Sequence, residues 1–281
     1  MTMTPVGKTS LWIAANRALE TESNEPLYRD PFARELAGQT GFDMISIMKA
    51  AKHRYDMNTT GPSPYITIRT KFFDDALLNA LNASAIQQVV ILAAGMDARA
   101  FRLDWPSNLV FFEVDRDEVF VHKEAVLGHL QARPKCDRRI VSADLTEQWT
   151  TALVKEGFDQ DRPAAFLMEG LLAYLDADSV AHLFSQLNMM AHPGSWLGFD
   201  ISDADTLASP RLTQYLKQLE MLGSPWIFGI NDPKTYLAKH GWRGIVTQPG
   251  EPDADYGRWP YPTIPHRITG HHSRFLVTAN K

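Results

Sequence analysis

Val89-Val90-Ile91-Leu92-Ala93-Ala94-Gly95-Met96-Asp97-Ala98-Arg99 carries the central reading of this chain. Four consecutive apolar residues without polar alternation predict a strand buried on both faces. The small residues after them predict a strand-to-helix turn that a ligand can approach closely. Gly95 is the only glycine of that turn, so it is not the G-x-G-x-x-G fingerprint that holds a pyrophosphate at a helix start. A nucleoside without phosphates needs only room there. A purely structural turn accounts for the same residues.

The pattern repeats downstream. Residues 109–112, 139–143, 164–168 and 196–201 read as further strands. Val180, Leu183, Phe184 and Leu187 mark an amphipathic helix between the last two, begun by Asp176 or Asp178 and ended by Pro193-Gly194. Unbroken apolar strands separated by helices predict an α/β fold, doubly wound and mostly parallel, with its ligand at the carboxyl ends of the strands.

Upstream the chain reads as helical. One helix runs from Thr9 with Ser10 as candidate N-cap, one starts at Asp30-Pro31, and one carries Ile45 and Met48. After the break Gly61-Pro62-Ser63-Pro64, a fourth helix aligns Phe73, Ala76, Leu77, Ala80 and Leu81. Beyond the strands, residues 207–222 and 233–240 read as helical and 244–247 and 273–279 as late strands. Residues 249–265 form a Pro/Gly-rich loop too long for a simple turn. The expected organisation is an N-terminal helical cap over residues 1–84 and an α/β domain over 85–281, with a helical insertion at about 203–240.

Composition narrows the function classes. The 281 residues fit one large domain with an added cap, and 44% hydrophobic with 22% charged residues is globular usage. A net charge of −5 offers no strong positive field, so nucleic acid is not an expected partner. Cys136 is the only cysteine, which excludes an intramolecular disulfide and a cysteine-built zinc cage and suits the cytoplasm. No run of 18 apolar residues and no signal-peptide core is found, so neither a membrane span nor secretion is expected.

Acids stand at successive strand ends. Asp115, 20 positions after Gly95, lies where doubly wound folds place a ribose-binding carboxylate, or where an N-cap for the next helix would sit. Asp144 can accept from an adenine amine with Leu145 packed on the ring, or can cap a helix over 146–154. Glu169 ends the fourth strand, where an unpaired charge is costly. Arg69 shares a helical face with Phe73, Ala76 and Ala80 and must find an anion. That anion is either an internal carboxylate, Asp75 or Glu169, or the carboxylate of an amino-acid-like ligand. Ribose diol, adenine amine and α-carboxylate are the matching ligand parts. S-adenosylmethionine has all three and no phosphate.

The stretch from Val89 to Leu103, then Glu113-Val114-Asp115, then Glu169-Gly170-Leu171-Leu172-Ala173-Tyr174-Leu175, resembles the leucine carboxyl methyltransferase family. It is similar to the bacterial small-molecule branch, which includes actinobacterial methyltransferases and polyketide O-methyltransferases. Thr9-Ser10, Arg17-Ala18-Leu19-Glu20 and Asp30-Pro31-Phe32-Ala33 also fit, so the resemblance spans about residues 9–200. It implies a class I, Rossmann-like methyltransferase sheet under a helical cap, with S-adenosyl-L-methionine as cofactor and a small molecule as methyl acceptor. It also implies roles: Arg69 for the cofactor carboxylate, the turn from Ala93 to Gly95 for the methionine part, Asp115 for the ribose, Asp144 and Leu145 for the adenine, and Glu169 for the methionine amine. The family often begins the turn with glycine where this chain has Ala93. The last 80 or so residues match less well, so the acceptor does not transfer.

No catalytic base is assigned: a carboxylate acceptor needs none, whereas a hydroxyl acceptor benefits from one. Tyr65, Tyr174 and His266 are candidate acceptor contacts, with core packing the alternative for the tyrosines. His53, His271 and His272 complete the histidines of interest. Adjacent strand positions face opposite ways, so His271-His272 predicts no metal site. Two other readings use the same fold: an NAD(P)-dependent oxidoreductase, which needs a glycine-richer turn, and a non-catalytic binding subunit.

Overall fold

The computed structural model describes residues 3–50, 61–263 and 273–281. Three helices open the chain. α1 (Pro5–Thr21) begins before the expected start, because Thr4 is its N-cap, accepting from the Gly7 N–H, and Pro5 fixes the first helical φ. Ser10 lies inside the helix and donates to the Gly7 carbonyl at 2.6 Å. Asp30 accepts from the Phe32 N–H at 3.2 Å and holds a turn, and α2 (Ala33–Ala50) starts after it. The two helices expected from Asp30-Pro31 and through Ile45 are the halves of α2, which meet at Gly38 with φ 54°. α3 (Pro64–Asn82) follows with proline again at the first position.

The strands are β1 (Gln88–Leu92), β2 (Val110–Asp115), β3 (Asp137–Ser142), β4 (Ala165–Met168), β5 (Trp196–Ser202), β6 (Arg243–Thr247) and β7 (Arg274–Asn280). They form one sheet in the order β3-β2-β1-β4-β5-β7-β6, parallel from β1 to β5, with β7 antiparallel to both its neighbours. Between the parallel strands run α4 (Arg99–Arg102), α5 (Asp117–His129), α6 (Thr150–Lys155) and α7 (Ala177–Met190). α8 (Thr213–Met221) and α9 (Pro233–Lys239) lie between β5 and β6. The helix expected directly after Asp144 starts only at Thr150, because Asp144 accepts from the Thr146 N–H and hydroxyl at 2.9 and 2.7 Å and closes a turn instead. Asp115 is not the N-cap of α5 either; Arg116 holds that position.

The β1 run shows why its sequence lacks alternation. Val89 and Ile91 pack with Leu11, Ile68 and Phe73 of the cap helices, while Val90 and Leu92 pack with Phe166, Leu183 and Phe184 on the other side. The period of two is present in space, but neither face meets water. Among the described residues, no helix is long and apolar enough to cross a membrane.

Candidate active site at the strand ends

Strand order reverses between β1 and β4, which opens a crevice at their carboxyl ends. A cavity of about 760 Å³ fills it. Ala93, Gly95, Asp115, Asp144, Leu145 and Glu169 border it from the sheet, and Tyr65 and Arg69 from α3. Tyr174 borders it from the turn Leu172–Tyr174. α1 and the loop after β6 supply further walls, among them Ser10, Trp12, Gln248 and Trp259. His266, like His53, His271 and His272, lies outside the described residues.

The turn after β1 is tight. Gly95 has φ 47°, and a Cβ there would lie 2.8 Å from the Ser10 Cβ, so glycine is required by both backbone and packing. Ala93 has φ 57°, a left-handed conformation that an L side chain resists. The Gly95 N–H donates to Asp115 Oδ2 at 2.6 Å, and the Arg116 N–H donates to Oδ1 at 2.8 Å. Asp115 forms no ion pair among the described residues, and burial pushes its carboxyl above the ordinary value against these two N–H groups. Asp144 is spoken for on both oxygens: Thr146 holds Oδ1, and Arg116 Nη2 pairs with Oδ2 at 2.8 Å.

Across the crevice stands a network of buried charges. Glu169 Oε1 takes Arg69 Nε at 3.0 Å and Oε2 takes Arg99 Nη2 at 2.8 Å. Of the two internal partners expected for Arg69, Glu169 is real; Asp75 pairs with Lys71 at 2.6 Å instead. Arg69 Nη1 also reaches Asp200 Oδ2 at 3.0 Å, and Asp200 accepts from the Tyr65 hydroxyl at 2.7 Å and the Gly170 N–H at 2.6 Å. Gly170 has φ 69°, and a Cβ there would come within 3.1 Å of Arg69 Nη1. Arg99 continues to Asp97 and Asp74, and Arg102 pairs with Asp74 at 2.6 Å. Three arginines thus face four carboxylates, leaving one formal negative charge.

Burial would raise the Glu169 carboxyl, but Arg99 and then Arg69 outweigh it and hold the group below its ordinary range. Burial likewise opposes ionisation of Asp97, and the Arg99 guanidinium reverses this, holding the carboxyl down at about 2. Burial first, then Asp200, pushes the Tyr65 hydroxyl well above its ordinary value, so Tyr65 acts as a donor.

Asp200 and Arg99 escaped the sequence reading. Asp200 lies in β5 near its carboxyl end, a location that had already singled out three other acids. Arg99 lies where the turn after β1 enters α4, but nothing in its spacing shows that it turns back to Glu169.

The model of the family described as leucine carboxyl methyltransferase matches residues 10–188, more than half of the chain. The chain belongs to the leucine carboxyl methyltransferase family. A relative in Mycobacterium avium (strain 104) is 36% identical over 263 residues, covering 85% of this chain and 83% of its own. One in Mycobacteroides abscessus is 35% identical over 290 residues, covering 98% and 95%. Both bear the name of an S-adenosyl-L-methionine-dependent methyltransferase. Among solved structures, the chain is similar to a DUF574-family protein from Streptomyces avermitilis, at 14% identity over 95% of this chain and 96% of that one, with a TM-score of 0.60. It is also similar to a structure from Thermobifida fusca described as a methyltransferase, at 17% identity over 95% and 94%, with a TM-score of 0.54. These two likenesses concern the fold, which is the class I, Rossmann-like one under an N-terminal helical cap.

As a member of the leucine carboxyl methyltransferase family, the chain is an S-adenosyl-L-methionine-dependent methyltransferase. The donor set fits that cofactor. Asp115 offers acceptor oxygens to a diol and is not taken up in an ion pair among the described residues. The arginines nearest the turn, Arg17, Arg99, Arg102 and Arg116, are each paired with a carboxylate already, so none is kept for a phosphate.

Proposed function

We propose that this enzyme transfers a methyl group to an oxygen, carboxylate or hydroxyl, of a small molecule such as a polyketide or another secondary metabolite, in the cytoplasm. When bound, the cofactor supplies an electrophilic methyl on a sulfonium, so the protein's part is alignment and exclusion of water. Asp115 holds the ribose diol, and Asp144 with Leu145 holds the adenine. Arg69 receives the methionine carboxylate through Nη2, since Nε and Nη1 are engaged by Glu169 and Asp200. Each carboxylate oxygen keeps a second lone pair, so Glu169 can take the methionine ammonium while still bound to its arginines. Ala93 and Gly95 leave room for the methionine chain. Tyr65, Tyr174 and His266 are proposed to face the acceptor. Residues 1–84 act as the cap, 85–281 as the catalytic α/β domain, and about 203–240 as an insertion beside the acceptor end.

The observation that carries this reading is the half-buried Asp115 carboxylate, which forms no ion pair among the described residues and borders the same cavity as the Arg69–Glu169 pair. Calorimetry with S-adenosylhomocysteine and with NADH tests it: the first is expected to bind and the second not. Asp115→Ala is expected to weaken S-adenosylhomocysteine binding by about 1–3 kcal/mol with the fold intact. Wild-type affinity in that variant would remove the ribose assignment.

A further inference from the structure

Seven arginines border the cavity: Arg17, Arg69, Arg99, Arg102, Arg116, Arg211 and Arg274. Five are in ion pairs: Arg17 with Asp30, Arg69 with Glu169 and Asp200, Arg99 and Arg102 with Asp74, and Arg116 with Asp144. Arg211 is exposed to water. Arg274 differs from all of them: it is half-buried and has no carboxylate within ion-pair distance among the described residues. A partly desolvated guanidinium without an anion is costly, and arginines so placed are normally paired.

The surroundings of Arg274 are aromatic. Its guanidinium carbon lies 4.3 Å from the centroid of the Tyr65 ring and 5.8 Å from that of Trp226. Trp226 in turn meets Tyr215 edge-on at 5.5 Å. The ring faces stabilise the cation and fix its plane, and they leave the N–H edge available to a planar anion. Tyr65 also stands beside Arg69, whose guanidinium carbon is 5.6 Å from the same ring. One side chain therefore separates the arginine proposed for the methionine carboxylate from Arg274.

We propose that Arg274 is a specificity-determining residue that grips an anionic group of the methyl acceptor, which belongs to the class of small aromatic carboxylates. This rests on the methyltransferase reading above. The aromatic walls Tyr65, Tyr215 and Trp226 receive the flat apolar body, and Arg274 receives the carboxylate. A neutral molecule of the same shape leaves the guanidinium without an anion and loses affinity.

The test uses the full chain saturated with S-adenosylhomocysteine, titrated with benzoate, 1-naphthoate and 2-naphthoate and with the matching primary amides. At least one acid is expected to bind about tenfold or more tightly than its amide. Arg274→Gln is expected to remove that preference while leaving S-adenosylhomocysteine affinity and the melting temperature near wild type. Arg274→Lys, which keeps the charge without the planar fork, should retain part of it. No acid exceeding its amide in the wild type overturns the proposal. So does an Arg274→Gln variant that loses S-adenosylhomocysteine affinity, since Arg274 would then serve the cofactor. Absence of S-adenosylhomocysteine binding to the wild type is a different result and strikes the cofactor reading itself.

Discussion

At the scale of single residues, Ala93 and Asp97 show how the turn after β1 is held. Ala93 adopts φ 57°, where its Cβ crowds the backbone by about 1–2 kcal/mol. Glycine removes that strain but gives the unfolded chain more freedom, worth about 0.4–1 kcal/mol in the other direction. Ala93→Gly is therefore expected to raise the melting temperature slightly, by about 1–2 °C. A drop on scanning calorimetry would mean that the alanine methyl makes a contact that outweighs its strain. Asp97 is ionised in the folded protein down to about pH 2, while its unfolded value is near the ordinary 3.8. Its contribution to stability is complete above the unfolded value and is lost as pH falls through the folded one. Between pH 4 and 2 the stability of the wild type should fall more steeply than that of Asp97→Asn, as read by urea titration at several pH values. Equal slopes would mean that Arg99 does not hold the carboxylate. The site acids Asp115, Asp144 and Glu169 were legible one by one because strand ends are predictable from apolar runs. Glu169 was one of two internal partners offered for Arg69, but Asp200 as its second partner and the ion pairs that occupy Arg99 and Asp144 were not legible, because they join residues up to 131 positions apart.

Among elements, α1 and α2 depend on a close approach. A Cβ on Gly41 would fall 2.4 Å from the Leu11 carbonyl oxygen, so the helices can meet only over a glycine. Gly41→Ala is expected to destabilise by about 1–3 kcal/mol, seen as a lower denaturation midpoint at unchanged slope. An unchanged midpoint would show that the helices can separate freely. The strands were readable to within a few residues, since buried runs bounded by turn residues leave little choice. Helix starts were less so. Thr4, Thr9 and Ser10 all have N-cap chemistry, and Pro5 decides among them by fixing φ just after Thr4. The start of α6 was misplaced because Asp144 closes a local turn with Thr146 in place of a helix.

For the molecule as a whole, the cap matters as the missing layer of the sheet. α1 and α3 cover the face of β1 that carries Val89 and Ile91, and the same helices wall the cavity through Ser10, Trp12, Tyr65 and Arg69. Core and site therefore share elements, and filling the cavity should stabilise the entire fold. At S-adenosylhomocysteine near 100 times its dissociation constant, linkage adds about 2.7 kcal/mol, a rise of about 5 °C in melting temperature. A shift that saturates well below this would mean that the ligand also binds the unfolded chain or that the cap opens to admit it.

Local pattern was enough for the strand runs, the parallel doubly wound class, the cap helices and the acids at the strand tips, because hydrophobic periodicity and turn chemistry act over neighbouring residues. The partners of those acids, the joining of Arg69 to both Glu169 and Asp200, and the isolation of Arg274 among aromatic rings were settled only by folding. Electrostatic pairing depends on distance in space, and the chain brings β1, β4, β5, β7 and α3 to one crevice from positions that no sequence spacing connects.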